Sequence, residues 1–465
     1  MNTSPASRPS LDTLGFDILI IIFKGLDALD VVRVGMTNGA LHELTKEHRI
    51  WWDQTRNWFK KNPVLKLAAS QLNLSHVDDL RNFAVRQSRM RLRWGQGDYE
   101  PVERYISCEG LPDRARAWLM PGGNSILCAS YKGDLTLHRI SPGPHPSVEP
   151  VPFVSYSVGA AQAYHDWMAL LRTTSPYPIF AYASGSRLHL ISIDHGNGRI
   201  FPEQVVSPFI KLRNPLVRGH SRVLIYMSTH PLDTVAGKTI VVIHLDYPGT
   251  TLEILLPPAQ GSEITSYDIS LPSPSVVVAL FRREDSSRLY ELPDFSTLKR
   301  GVNTLREPPR IIALPAPSIG GYRLNNAYLG GDIHDQSSNP PIHLHINHDW
   351  DHDAAPRLLT LRVDPSAPGL PVTEVLQLIT SRRPIIVAME EGVIFFRGGT
   401  VSDPWIYLVV PVGEPEWDRM SILKLRIPAG LSRSRVDALT PSFDLASGRM
   451  LFINFGNRIA MIEIL

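Results

Sequence analysis

Cysteine is almost absent. Cys108 and Cys128 are the only two in 465 residues. That excludes a disulfide framework, and without a paired Cys-x-x-Cys there is no zinc motif. A reducing compartment is the default expectation. Long apolar runs are also scarce. The longest near the start, Ile18 to Phe23, is shorter than the ~7–15 residues of a signal-peptide core and far short of the ~20 that span a bilayer. The expected location is therefore cytoplasmic and/or nuclear, with no membrane partner. Neither sign of charge dominates, because 47 Lys and Arg face 45 Asp and Glu, for a net charge of +2. This argues against a nucleic-acid surface as the main feature. Catalytic signatures are missing as well. There is no phosphate loop, no Gly-x-Ser-x-Gly elbow and no His-Glu-x-x-His helix, and Gly330-Gly331 and Gly398-Gly399 read as turns.

Proline divides what is present. Of 39 prolines, Pro63 alone falls between Ser10 and Glu100. Helix interiors exclude proline, whereas loops and strand edges accept it. Charge divides nearby. Residues 1–94 hold 14 basic against 9 acidic side chains (+5), and the remainder 33 against 36 (−3). The first ten residues, rich in Ser and Pro, are expected to be disordered. Asp12 or Thr13 is placed to cap a helix with Leu14, Ile18, Leu19, Ile22, Phe23 and Leu26 at spacings of three and four. Asp30 opens a second segment with Val31, Val32 and Val34. A third runs from Gly39 through Leu41 and Leu44. A fourth begins at Ile50-Trp51-Trp52 and holds Trp58 and Phe59. Ser75 is placed to cap a longer helix, acidic at Asp78 and Asp79 and arginine-rich toward Arg93, a polarity that suits the helix dipole.

Here the stretch Leu14-Gly15-Phe16-Asp17-Ile18-Leu19-Ile20-Ile21-Ile22-Phe23-Lys24-Gly25-Leu26 resembles the opening of an F-box, as found in fungal-type F-box proteins. Asp30 falls where that family places the acid of its Asp-Leu step. Thr37 to Leu44 is similar to the family's central segment, and Ile50-Trp51 to its closing Leu-Trp. Gly15 stands where proline is usual, Asn38 where cysteine is, and Leu41 where tryptophan is. The resemblance implies an adaptor-binding subunit of an SCF-type cullin–RING ubiquitin ligase. Leu14, Gly15, Ile18, Ile22, Phe23 and Leu26 would face the ligase's small adaptor, helped by Leu29, Val32 and Ile50. Bare physics points the same way. About fifty residues bury little core, so short helices with apolar residues on several faces leave a surface for a partner.

From Tyr99 the apolar period changes to two. Ile126–Ala129 turns at Lys132-Gly133-Asp134 into Leu135–Ile140, and glycine supplies the positive φ that a tight hairpin needs. Six more hairpins follow: Ile179–Ala183 with Leu188–Ile193, Ile240–Leu245 with Leu252–Leu256, Val276–Phe281 with Leu289–Leu292, Ile342–Ile346 with Leu358–Val363, Ile385–Met389 with Val393–Phe396, and Met450–Phe455 with Ile459–Leu465. Amphipathic helices are nearly absent between them, which favours stacked antiparallel sheets. The expected architecture is mainly β with a small N-terminal α module. In order these are a disordered 1–10, a three-helix F-box at 11–58, linker helices at 59–98, and a β-propeller-like domain of six to eight blades at 99–465. Ala117 to Asn124 is similar to the opening of a WD-type blade, although the Trp-Asp and Gly-His marks are missing elsewhere. A strand from Glu103 to Ser107 is placed to complete the blade that ends at Leu465.

Three clusters carry competing readings. His343, His345, His348 and His352 with Asp349, Asp351 and Asp353 form a set that a divalent metal would accept. The same residues suit a polar hairpin tip, and that reading is preferred, so no metal or cofactor is expected. Arginines 81, 86, 89, 91 and 93 read as a solvated helix face, and tryptophans 51, 52 and 58 as core. The function expected is therefore a non-catalytic receptor, with the propeller holding a protein substrate. The alternative is an interaction scaffold that binds the adaptor or another partner without directing ubiquitination.

Overall fold

The computed structural model describes residues 14–61 and 75–94, the strands between Asp98 and Glu463, and among the turns 120–124, 195–198, 245–249 and 292–300. Among the described residues five helices come first: α1 (Phe16–Gly25), α2 (Ala28–Gly35), α3 (Gly39–Leu44), α4 (His48–Lys61) and α5 (Val77–Trp94). Gly15 stands at the N-cap of α1 without a side-chain bond, and Asp12 and Thr13 lie outside the described residues. The cap of α2 is Asp27, whose Oδ1 accepts the Leu29 N–H at 3.0 Å. Asp30, expected to open this helix, instead sits in its first turn and pairs with Arg33 at 2.8 Å. Asn38 caps α3 by accepting the Ala40 N–H at 2.7 Å. Each side-chain oxygen satisfies an amide that the helix cannot.

The helices close on one core. Leu19, Ile20 and Phe23 of α1 meet Val31, Leu41, Leu44, Ile50 and Trp51, with Leu80 and Ala84 from α5. Two buried polar contacts fix the joints. Trp51 Nε1 donates to the Thr45 carbonyl at 2.5 Å, and Gln54 Nε2 donates to the Leu26 carbonyl at 2.7 Å. The latter satisfies the chain just where α1 ends. Ser88 Oγ donates to the second oxygen of Asp27 at 3.1 Å, tying α5 to the cap of α2. Residue 58, the expected end of the module, thus falls inside α4, and α5 shares the module's core.

Among the described residues thirty strands follow. β1 (Asp98–Tyr99) and β2 (Val102–Ser107) come first but pair with late partners. Then come β3–β6 (Arg116–Leu119, Ser125–Ala129, Asp134–Arg139, Val154–Ser157) and β7–β10 (Trp167–Leu171, Ile179–Ser184, Arg187–Asp194, Arg199–Val206). β11–β14 are Val217–His220, Val223–Ser228, Thr239–His244 and Thr250–Leu255. β15–β19 are Tyr267–Ser273, Val276–Phe281, Ser286–Glu291, Gly301–Thr304 and Arg310–Ala313. β20–β23 (Tyr322–Leu329, Ile342–His348, Arg357–Val363, Val372–Ile379) and β24–β27 (Ile385–Glu390, Val393–Gly399, Pro404–Pro411, Met420–Arg426) precede the last three. Those are β28 (Ser442–Asp444), β29 (Arg449–Asn454) and β30 (Arg458–Glu463).

Among the described residues they form seven sheets, each an antiparallel meander of four strands. Every one of the seven hairpins read from the sequence lies in a different sheet. β2 pairs with β30, Val102 opposite Glu463 and Ser107 opposite Arg458, so the final sheet joins early and late chain. Two short strands are added in parallel at sheet edges, β18 on β14 and β1 on β27.

Burial explains why these strands stack. In β13, Ile240 and Val242 enter the core shared with the following sheet, while Val241 and Ile243 enter the core shared with the preceding one. In β16, Val277 and Ala279 face one neighbour, and Val278 and Leu280 the other. Successive side chains point to opposite faces, and both faces are covered, so the strands read as nearly continuous apolar runs. The same sharing joins Ala117, Leu119, Ile126 and Cys128 to Leu451 and Met461, across the first and last sheets. Leu119 N–H donates there to Ser442 Oγ at 2.9 Å, and Arg449 Nη1 to the Gly123 carbonyl at 2.6 Å.

Candidate functional site

Helix α1 is apolar almost all round, yet it has only one covered face. Leu19, Ile20 and Phe23 turn into the module, while Ile18 is 51% and Ile21 69% exposed. Leu14 and Phe16 are exposed beside them, and Met36, just past α2, is 80% exposed. A single apolar side chain at the surface is ordinary, but four within eight residues make residues 14–21 an exposed apolar strip of the chain. Lys24 Nζ meets Asp53 Oδ2 at 2.6 Å, fixing the end of α1 against α4.

The structure sorts the residues read from the sequence into three groups. Leu14, Gly15 and Ile18 are exposed on the strip. Ile22, Leu26, Leu29 and Val32 are half-buried along its margin with the core. Phe23 and Ile50, at 1% and 0% exposed, lie inside the core and present nothing to a partner in this state. Phe16, Ile21 and Met36 were not among the residues expected at the surface. For Ile21 the signal was helical phase. With about 3.6 residues per turn, Ile18, Ile21 and Gly25 share one face of α1, and Leu19, Ile20 and Phe23 share another. An unbroken apolar run hides that division, because neither face is marked by a polar residue.

The remaining clusters are placed as follows. His343 and His345 occupy alternate positions of β21, opposite Arg362 and Thr360, while residues 349–356 lie outside the described residues. Among the described residues no group of three or more His, Cys, Asp or Glu is gathered as metal ligands. Trp51 is fully buried, Trp52 and Trp58 pack partly against the same core, and the Arg81 guanidinium lies 5.9 Å from the centre of the Trp51 ring. α5 buries Leu80, Phe83, Ala84 and Met90. Among the described residues no helix is long and apolar enough to cross a membrane.

No family model and no curated protein matches the chain. Solved structures are similar to it at low identity. The β-propeller domain of Myceliophteria thermophila Cps50 (Swd1) is 11% identical with a TM-score of 0.43, over 77% of this chain and 99% of that one. Sqt1 from Chaetomium thermophilum is 10% identical with a TM-score of 0.39, over 74% and 82%. A chain of the mitotic checkpoint complex is 8% identical with a TM-score of 0.43, over 80% and 97%. No residue's role is carried over from them, and the chain is described by its own geometry: a mainly β protein of stacked meander sheets with a small helical module.

Proposed function

We propose that this chain is a non-catalytic substrate-recognition subunit of an SCF-type cullin–RING ubiquitin ligase. The observation that carries the reading is the exposure of Leu14, Phe16, Ile18 and Ile21, in and just before a helix that also supplies Leu19, Ile20 and Phe23 to the module's core. A helix that presents isoleucine and phenylalanine to water is stabilised by a partner that covers them. The F-box resemblance names that partner as the ligase adaptor. The contact set is the strip with Gly15 and Met36, rimmed by Ile22, Leu26, Leu29 and Val32; Phe23 and Ile50 support it from behind.

In this reading the seven sheets are the blades of one propeller. Support comes from the succession of first strands. β7 lies beside β11, β11 beside β15, β15 beside β20, β20 beside β24, and β28 beside β3. The pairing of β2 with β30, strands from both ends of the domain, supports a ring closed at that sheet. A protein substrate held by the propeller's loops meets the charged conjugating enzyme by proximity, so the covalent steps belong to other chains.

The test is co-purification of the full chain with adaptor and cullin, beside an Ile18→Asp/Ile21→Asp variant. Both residues are exposed, so the variant should fold, while carboxylates forced into an apolar interface cost several kcal/mol. Recovery of adaptor and cullin by the wild type, and their loss from the variant, is the expected outcome. Recovery of the adaptor without cullin would indicate the scaffold. Recovery of neither by a folded wild type would overturn the F-box reading.

A further inference from the structure

The chain takes a detour at the outer edge of the third and fourth sheets in chain order, those of β11–β14 and of β15–β17 with β19. After β17 it does not turn straight into β19. Residues 292–305 instead cross to the preceding sheet and lie along β14. The Gly301 N–H donates to the Gly249 carbonyl at 2.8 Å, the Leu305 N–H to the Glu253 carbonyl at 2.8 Å, and Asn303 Nδ2 to the Thr251 carbonyl at 3.2 Å. Gly249 has φ +81°, and a Cβ there would sit 3.3 Å from Arg300 Nε, so glycine serves both the turn and the strap that crosses it.

The strap is anchored at its start by Phe295. This ring is buried, 5.4 Å from the His244 ring and 6.4 Å from that of Tyr247, and the His244 and Tyr247 rings are 4.9 Å apart edge to face. The imidazole has a defined job. His244 Nδ1 accepts the Asp246 N–H at 3.1 Å, which requires Nδ1 to be unprotonated. The charged groups around the ring are Asp246 from the β13–β14 turn, Arg222 just before β12, and Asp294 from the strap. Arg222 is itself committed, with Nε on Asp246 Oδ1 at 2.9 Å and Nη1 on Glu203 Oε1 at 3.3 Å.

We propose that residues 292–305 are an acid-released strap, latched across two sheets by neutral His244 and freed when that ring takes a proton. A proton on Nδ1 places two donors face to face where there is now a donor and an acceptor. The ring must then turn toward the Asp246 carboxylate, 3.9 Å from Nδ1, in competition with Arg222, and so leave Phe295. Burial acts in the same sense by holding the His244 pKa below its ordinary value, with Arg222 adding to this and Asp246 and Asp294 opposing it. Asp294 is not the trigger. Its carboxyl is held below the usual range by the Ser296 amide and hydroxyl, so it stays ionised where histidine protonates. Release exposes Phe295 and the edge of β14.

Backbone hydrogen exchange on the full chain tests this, at about pH 7.5 and about pH 5.5, with rates corrected for intrinsic pH dependence. The amides of Gly301 and Leu305 are expected to lose protection at the lower pH relative to those within β13. The loss should not exceed about tenfold per pH unit, the limit for one coupled proton. His244→Gln should abolish the difference. The reciprocal measurement is the His244 pKa itself, read by NMR in wild type and in Phe295→Ala. Opening the strap should raise it, while that of His189, in a different sheet, stays fixed. Equal strap protection at both pH values, or a His244 pKa indifferent to Phe295, would overturn the proposal.

Discussion

Two glycines show what single residues do here. A Cβ on Gly35, at the end of α2, would come within 2.6 Å of Thr45 Cγ2. Thr45 cannot yield easily, because it is buried, its hydroxyl donates to the His42 carbonyl at 2.7 Å, and its own carbonyl holds Trp51. Gly35→Ala is therefore expected to cost about 1–3 kcal/mol, as overpacked sites do, visible as a lowered midpoint in denaturant. Gly123 has φ +69°, and a Cβ there would meet Ser447 Cβ at 2.5 Å, at the seam of the first and last sheets. Asp27→Ala removes both the cap of α2 and the bond from Ser88, for an expected loss of about 0.5–2 kcal/mol in the same assay.

At the scale of elements, α1 separates stability from binding. Ile18 and Ile21 are spent on solvent, so Ile18→Asp/Ile21→Asp is expected to leave helix content unchanged and thermal unfolding close to wild type. Phe23→Asp, in contrast, buries a charge among Trp51, Leu80 and Ile50 and is expected to unfold the module, so its loss of binding would say nothing about the surface. Strand β9 and the end of β13 carry a pH dependence. Burial lowers the pKa of His189, assisted by Arg187, and burial chiefly lowers that of His244. Both folded values lie below the unfolded value of about 6.5. The unfolded chain therefore takes up these protons first as pH falls. Their stabilisation is present above about pH 6.5 and is lost below it, so the denaturation midpoint should fall from about pH 7 to pH 5.5. Replacing both histidines with glutamine should flatten that fall.

For the whole molecule, the decisive element is β30. It pairs with β29 on one side and β2 on the other, and Met461 lies in the core shared with the first sheet. Removal of residues 456–465 is expected to lower the melting temperature markedly and to break cooperative unfolding, because both neighbouring strands lose their ladder. Unchanged melting would show that the stacked sheets do not depend on this pairing.

Period-two runs located all seven central hairpins, and helical spacing located the helices, because those signals are local. The cap of α2 was misjudged by one turn, since Asp27 and Asp30 are the same residue type and only the chain direction at Leu26 distinguishes them. The edge strands β18 and β1 were not legible, for two to four residues carry no period and their pairing partners lie far along the chain. The amino-acid sequence by itself determined that this protein is a small helical module followed by stacked antiparallel sheets, because alternation and helical phase are written residue by residue. Only the tertiary structure decided that Ile21 and Met36 face outward while Phe23 and Ile50 do not. It also decided that residues 292–305 strap one sheet to the next. Which face of an apolar element is covered depends on what packs against it, and that partner is named by the fold and not by the run itself.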